Sequence, residues 1–143
     1  MITIRELRID DYDALVTLWD AAGLSYRPRG RDRREHIAHE LAGECSIFLV
    51  AEDDGRIIGS VLGTHDGRKG WINRLAVHPD YRRRGIGTQL VREVERRLDA
   101  MGIDIVTCLI EDWNTSSQEF FTVLGYHRHD DIHYYSKRKN AEV

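Results

Sequence analysis

The sequence predicts one α/β (α+β) domain over residues 1–143, built from about four helices and a twisted, mixed but mostly antiparallel sheet of six to seven strands. Two observations support this fold class. Apolar stretches of strand length are joined by the hairpin-type turns Asp54-Gly55 and Asp66-Gly67. A later segment with apolar side chains at helical spacing lies between two strand-like stretches, and such a strand–helix–strand unit requires parallel pairing.

The N-terminal third of the chain predicts a strand followed by two helices. Apolar side chains within residues 2–9 indicate the strand, and Asp10 is a candidate N-cap for a helix that ends near Gly23. A second, shorter helix is expected to end near Gly43. An exposed, arginine-rich connection lies between the two helices.

Turn residues and periodicity predict the remaining elements. Gly102 ends the crossover helix, and Gly125 ends a short helix near the C-terminus. No linker or low-complexity stretch interrupts the pattern, which supports a single domain. The expected helices cover residues 88–101 and 116–124, and the expected strands cover residues 46–51, 56–63, 71–77 and 103–110, with a closing hairpin around 133–136.

Composition favours a globular protein and argues against membrane-spanning, secreted and disulfide-stabilised classes. With 41% apolar and 31% charged residues, the chain has the composition of a globular domain. No apolar run approaches the roughly 20 residues that span a bilayer, and the N-terminus lacks the apolar core of a secretory leader, so we expect a cytoplasmic protein without a membrane partner. Cys45 and Cys108 stand far apart, which favours two reduced thiols over a disulfide or a zinc site.

Arginine side chains cluster at residues 27–34 and again at residues 82–84. Such clusters can bind nucleic-acid phosphates. The formal net charge of -3 and the lack of an aromatic-rich strand beside the arginines argue against a general polyanion binder. We therefore expect no nucleic-acid partner, and nucleic-acid binding is only a third hypothesis.

The second arginine cluster opens a glycine-rich turn over residues 82–87, between a predicted strand and a predicted helix. Exposed amide groups and the positive end of the helix dipole suit a pyrophosphate there. The turn is not a P-loop, since no Lys-Ser/Thr pair follows the glycines, and a Rossmann fingerprint needs a small residue where Leu90 stands. Taken alone, the turn is equally well explained as an ordinary strand–helix connection with a solvated basic face.

Two spaced motifs resemble the signatures of one family, the GNAT superfamily of N-acetyltransferases. The first, which resembles that family's acetyl-CoA-binding motif, is Arg82-x-x-Gly85-x-Gly87. The second, in which every spacing of the family's other signature is kept, is Asn114-x-x-Ser117-x-x-Phe120-Phe121-x-x-x-Gly125-Tyr126. The resemblance covers nearly the whole chain, is loosest across the first two helices, and implies the GNAT fold with a central splayed strand pair.

The resemblance implies that acetyl-CoA is the cosubstrate. The backbones of Leu75, Ala76 and Val77 would pair with its pantetheine arm and polarise the thioester carbonyl, and Asn114 would hydrogen-bond the same arm. The side chains of Leu75, Val77 and Phe120 also fit a plain core role. Phe120 and Phe121 would form the wall of the cofactor slot. The pyrophosphate would be bound by the loop Arg82, Arg83, Arg84, Gly85, Ile86, Gly87 and Thr88.

The implied reaction needs a base, because an amine attacks a thioester only when neutral and a lysine-type amine has a pKa of about 10.4. The positions where family members often carry a carboxylate hold Trp71 and Leu109. Glu111 and Asp112, at the exit of the fifth predicted strand, are the nearest base candidates, although acids at a strand end are often merely solvated.

The usual acid is also absent, since Phe121 stands where related enzymes commonly carry a tyrosine that protonates the departing thiolate. A thiol has a pKa of about 8.5, so its thiolate leaves tolerably near neutral pH. We expect water to supply the proton, with Tyr134 as a candidate acid.

The expected acceptor is a primary amine on a small molecule, or on a protein N-terminus or lysine. Arg27 and Arg29 are candidate acceptor-binding residues, since bidentate pairing with a carboxylate favours an acidic acceptor, although a solvated loop fits equally well. The rival hypothesis is a non-catalytic acyl-CoA-binding or sensing module. The C-terminal histidines give no defined ligand set, so no metal is predicted, and a homodimer is left open.

Overall fold

A five-stranded sheet in the order β1-β2-β3-β4-β5 forms the centre of the computed structural model, which describes residues 1–143. Short 3-10 turns precede the first helix and follow the fourth strand, at Ile9–Asp11 and Pro79–Tyr81. The helices and strands are β1 (Ile2–Glu6), α1 (Tyr12–Ala22), α2 (Arg34–Ala42), β2 (Ser46–Asp53), β3 (Arg56–His65), β4 (Lys69–Val77), α3 (Ile86–Ala100), β5 (Ile105–Cys108) and α4 (Thr115–Val123).

The sheet is mixed and mostly antiparallel, as predicted. Strands β1 to β4 are antiparallel neighbours, and β4 and β5 run parallel. The β2–β3 hairpin turns at Asp54 and Gly55, whose φ angles of 49° and 83° are the left-handed conformation that a two-residue type I′ turn requires. Helix α3 forms the crossover between the two parallel strands.

The predicted number of six to seven strands is wrong, because the sheet has five. The expected closing hairpin around residues 133–136 forms no strand. Tyr134 and Tyr135 in this segment are 67% and 90% exposed. A strand gains most of its stability from cross-strand packing on a partly buried surface, and these side chains have no buried face to join.

Strand β5 is shorter than the predicted range of 103–110. The Ile103 amide donates to the Leu98 carbonyl at 3.0 Å, so Ile103 takes part in the C-terminal cap of α3 and not in the strand. On the other side, the chain leaves the sheet directly after Cys108. Strand β1 also ends early, at Glu6, before the 3-10 turn begins.

The sheet has a hydrophobic core on each face. Strand β2 shows the alternation, because Ile47, Leu49 and Ala51 belong to one core, whereas Phe48 and Val50 belong to the other. The first core takes its helical side chains from α3 and α4, and the second takes them from α1 and α2. None of these helices combines the length and the apolar character needed to cross a bilayer.

Glycines in β3 let helix α3 lie close to the sheet. A Cβ atom on Gly59 would lie 3.2 Å from a methyl carbon of Ile86, and one on Gly63 would lie 2.5 Å from a γ-carbon of Val94. Close packing of this kind leaves no room for an added methyl group. The N-terminus of α3 is therefore held against the sheet near the end of β4.

Replacement of Gly63 by alanine is expected to destabilise the fold by about 1–3 kcal/mol, the usual cost of an overpacked core. Val94 cannot move aside easily, since a β-branched side chain on a helix has one strongly preferred rotamer. Gly43→Ala is the matched control, because its Cβ would lie 3.5 Å from the Glu40 carbonyl oxygen, an ordinary contact. Equal denaturation midpoints for the two variants would contradict the close approach of α3.

Candidate active site

Strands β4 and β5 separate halfway along β4. Their pairing ends at Ile72, opposite Cys108, whereas β4 continues to Val77 alongside β3. Residues 73–77 therefore have one edge without a strand partner, and a wedge opens between the two strands. This is the splayed strand pair that the resemblance implied.

The backbone of Val77 faces the wedge. Directly opposed residues in an antiparallel pair alternate between hydrogen-bonded and non-hydrogen-bonded positions. The His78 amide donates to the Ile58 carbonyl at 2.8 Å, so the next pair, Gly59 and Val77, is a non-hydrogen-bonded one. The amide and carbonyl of Val77 consequently point away from β3, toward the open side.

A β-bulge precedes this edge. The β3–β4 register shifts between Ser60 and Leu62, and Arg74 on β4 has a φ of 54°, in the left-handed region. Bulges bend a strand and re-aim the residues that follow. The bulge therefore determines how the backbone of residues 75–77 enters the wedge.

The glycine-rich turn presents free amide groups at the start of α3. Gly85 and Arg83 have φ angles of 76° and 65°, and the helix begins at Ile86. The amides of residues 83–88 donate no hydrogen bond within the chain. Such amides at a helix N-terminus, reinforced by the helix dipole, form an anion-binding site.

Side-chain contacts hold this turn in place. The Tyr81 hydroxyl donates to the Asp53 carboxylate at 2.9 Å, and the Arg84 guanidinium lies 4.9 Å from the centre of the Tyr81 ring. Arg82 donates to the last carbonyl of α1 at 3.4 Å. Arg83 forms no hydrogen bond or ion pair, so its guanidinium is free to meet an anionic ligand.

The turn, the wedge and helix α4 meet at Gly87. A Cβ atom there would lie 3.4 Å from the ring of Phe120 and 3.8 Å from a methyl carbon of Val77. The glycine leaves a gap that a branched side chain would fill. The gap, the free amides and the open strand edge together fit a ligand with a phosphate end and an amide-containing arm.

Asn114 forms the N-cap of α4, where its Oδ1 accepts a hydrogen bond from the Ser117 amide at 3.2 Å. Its side-chain NH₂ group has no partner within the chain. The predicted base candidates Glu111 and Asp112 lie in the preceding turn, and their backbone carbonyls accept hydrogen bonds from Gln118 at 3.2 and 3.0 Å. Their carboxylates are exposed and form no hydrogen bond.

The aromatic residues of the second motif occupy different places. Phe121 is 6% exposed and lies in the core, 5.1 Å in edge-to-face contact with both Phe120 and Tyr126. Only Phe120 borders the gap. The Tyr126 hydroxyl donates to Glu95 of α3 at 2.7 Å. Burial, and after it this hydrogen bond, raises the pKa of the Tyr126 hydroxyl, so it stays protonated and bonded to Glu95. Tyr134 is exposed and forms no hydrogen bond.

Sequence reasoning missed one carboxylate that is partly buried. Glu40 lies on α2, three residues after the buried Ile37, and burial raises the pKa of its carboxyl. The sequence signal for Glu40 was an acidic residue at helical spacing from a core residue.

Neither Trp71 nor Leu109, at the positions where the family often carries a carboxylate, can accept a proton. No group of three or more His, Cys, Asp or Glu side chains is placed to hold a metal ion.

The arginine-rich connection folds around a buried aspartate. Asp32 is 5% exposed, accepts a hydrogen bond from the Arg27 amide at 2.7 Å and pairs with Arg74 at 2.6 Å. The side chains of Arg27 and Arg29 are exposed, and Arg29 pairs with Glu142 at 3.0 Å. Sequence reasoning also missed this internal ion pair, because the contact between distant segments has no local pattern.

The chain is similar in sequence to a family of acetyltransferases. The chain matches the model of the Acetyltransferase (GNAT) family over residues 5–126. It is 35% identical to an acetyltransferase of Sodalis glossinidius over 94% of both chains. It is also 37% identical to an acetyltransferase of Pectobacterium atrosepticum over 90% of both chains.

Solved structures share the fold. The PaiA N-acetyltransferase of Thermoplasma acidophilum, in complex with coenzyme A, matches with a TM-score of 0.80 and 24% identity over 92% of this chain and 93% of that one. The enzyme AAC(6')-Iy, in complex with a bisubstrate analogue of CoA and acetylneamine, matches with a TM-score of 0.80 and 20% identity over 96% and 99%. The family match over most of the length, on this fold, shows that the chain belongs to the GNAT family of acetyl-CoA-dependent acetyltransferases.

Proposed function

We propose that this chain transfers the acetyl group of acetyl-CoA to a primary amine by direct attack of the neutral amine on the thioester. The observation that carries the proposal is the meeting at Gly87 of free turn amides, the open edge of β4 and the Phe120 ring. Acetyl-CoA supplies an activated acyl group. The protein supplies binding, orientation and polarisation.

Cosubstrate binding is assigned to the turn and the open strand edge. The free amides of residues 83–88, with the unpaired Arg83 guanidinium, would bind the pyrophosphate. The backbone of residues 75–77 would run beside the pantetheine arm, with the Val77 amide facing it. The side-chain NH₂ group of Asn114 would donate to the same arm. The Thermoplasma acidophilum protein of the same fold is in complex with coenzyme A, which supports coenzyme A as the kind of ligand.

Proton transfer is assigned to groups in the turn between β5 and α4 and to water. Glu111 and Asp112 are the proposed bases, directly or through water, because their exposed carboxylates have no competing partner. The buried Phe121 cannot donate a proton. A leaving thiolate with a pKa of about 8.5 needs little assistance near neutral pH, so water is the proposed proton source and Tyr134 the alternative acid.

We propose an acceptor that carries a carboxylate as well as its amine. The arginine-rich connection is tied to β4 through Asp32 and Arg74, which places it beside the splayed half of that strand. Arg27 and Arg29 present exposed guanidinium groups on this connection. A carboxylate pairs with such a group in a bidentate manner, which would orient the amine toward the wedge.

Gly87→Val is expected to abolish stabilisation by acetyl-CoA, because the branched side chain fills the gap beside Phe120 and Val77. The variant should still fold, since it only fills an existing space. Gln89→Val is the matched control, with the same side chain at an exposed position of the same helix. The rise in melting temperature on addition of acetyl-CoA is measured for both variants. An equal rise for Gly87→Val and the control would show that acetyl-CoA does not bind in this gap.

Turnover of acetyl-CoA against a panel of primary amines, read by thiol release, tests the reaction itself. The panel holds amino acids, amino sugars including an aminoglycoside, and peptides with a free N-terminus. We expect release above the hydrolysis background with at least one amine, and most with amines that also carry a carboxylate. Acetyl-CoA binding without turnover of any amine would instead support the non-catalytic acyl-CoA-binding module.

Arg27→Gln combined with Arg29→Gln should raise the KM of the best acidic acceptor about tenfold or more, since a charge-assisted hydrogen bond contributes about 1.5–3 kcal/mol. The KM of acetyl-CoA should not change. Arg68→Gln combined with Lys69→Gln is the charge-matched control, at the opposite end of β4. If the two double variants have the same acceptor KM, the connection does not bind the acceptor.

A further inference from the structure

A side-chain network joins α1, β3 and β4 to the arginine-rich connection. The Arg74 guanidinium donates to Asp32 and to the Ser25 carbonyl, each at 2.6 Å, and its central carbon lies 5.4 Å from the centre of the Trp19 ring. The Ser60 hydroxyl accepts from the Trp19 ring nitrogen at 3.1 Å and donates to the Arg74 carbonyl at 2.9 Å. Both the side chain and the backbone carbonyl of Arg74 are therefore held.

This network surrounds the one residue of β4 with a left-handed backbone. A positive φ is unfavourable for an arginine, and such a conformation persists only where its surroundings impose it. The side chains of Asp32 and Arg74 are 8% and 13% exposed, so each charge depends on the other. Trp19 is fully buried and cannot yield to a different position of the guanidinium. These contacts hold both ends of Arg74 at the bulge.

We propose that Asp32 is a positioning residue for acetyl transfer, which holds Arg74 in its left-handed conformation and thereby aims the backbone of residues 75–77 into the wedge. Its effect on turnover rests on the proposed function, in which those residues polarise the thioester carbonyl. Asp32 also accepts a hydrogen bond from the Arg27 amide. One buried carboxylate thus aligns the catalytic strand edge with the connection assigned to the acceptor.

The anchoring is tested first without any reaction. Asp32→Asn keeps the shape of the side chain and an oxygen for the Arg27 amide, but it removes the charge that holds Arg74. Hydrogen exchange should become faster for residues 73–77, which include the bulge, and stay unchanged for residues 69–72, which pair with β5. Unchanged exchange at residues 73–77 would overturn the proposal, whatever the enzyme's activity.

Asp11→Asn is the matched control. Asp11 pairs with Arg5 at 2.8 Å, with side chains 12% and 22% exposed, at the far edge of the sheet. This variant should lower the unfolding midpoint, yet leave exchange at residues 73–77 and kcat as in the parent. A general loss of stability would instead affect both variants in the same way, and that result would make Asp32 merely structural.

A glycine replacement separates the backbone role from the loop role. Asp32→Asn should lower kcat about tenfold or more and raise the acceptor KM, because small misplacements at a reacting centre are costly. Adding Arg74→Gly should recover most of kcat, since glycine adopts a positive φ without side-chain support. The acceptor KM should stay raised, because the connection has still lost its anchor.

The outcomes of the kinetic experiment are distinct. A double variant with kcat no higher than that of Asp32→Asn alone would overturn the positioning role. A parent enzyme that acetylates no amine would instead contradict the proposed function, and the exchange measurement would then decide by itself whether Asp32 holds the bulge.

Discussion

The separation of β4 from β5 after Ile72 is the constraint on which the candidate site depends. A strand paired on both sides has no free backbone groups, so only the splayed half of β4 can meet an amide-containing ligand. The anion-binding turn must then lie at the end of that edge. The close packing of α3 over Gly59 and Gly63 places its N-terminus there. The splayed sheet and the packing of α3 therefore bring the open strand edge and the anion-binding turn to the same place.

The ion pairs of the molecule differ in how far they are buried, and their contributions differ accordingly. Exposed pairs such as Arg29 with Glu142 contribute little, because both charges remain hydrated. The pair between Asp32 and Arg74 is enclosed, and removal of either partner would leave a charge without compensation. Under the positioning role proposed above, the pair favours one backbone arrangement of β4 over others. Its location at the bulge of β4 connects that preference with the site.

Local patterns predicted most of the fold. The hairpin turn at Asp54 and Gly55, the parallel crossover and the helix ends follow from rules that need only a few neighbouring residues. The prediction of a closing hairpin around residues 133–136 was wrong, because residues with a high β-propensity form a strand only where a sheet edge and a core are available to pack against them. The two motifs implied that Gly87 and Phe120 belong to one site, and the two residues are neighbours in the structure. The adjacent Phe121, which was expected to line the same slot, is packed in the core instead.

By itself, the sequence determined the α/β class, the family and the positions of the glycine-rich turn and the C-terminal end of α4, because each is encoded in short spacings along the chain. Only the tertiary structure decided that β5 leaves β4 at Cys108, that Arg74 has a left-handed backbone and that Asp32 is buried against it. These features depend on contacts between residues more than 30 positions apart. No local pattern encodes such contacts, since they form only when both sheet faces are packed.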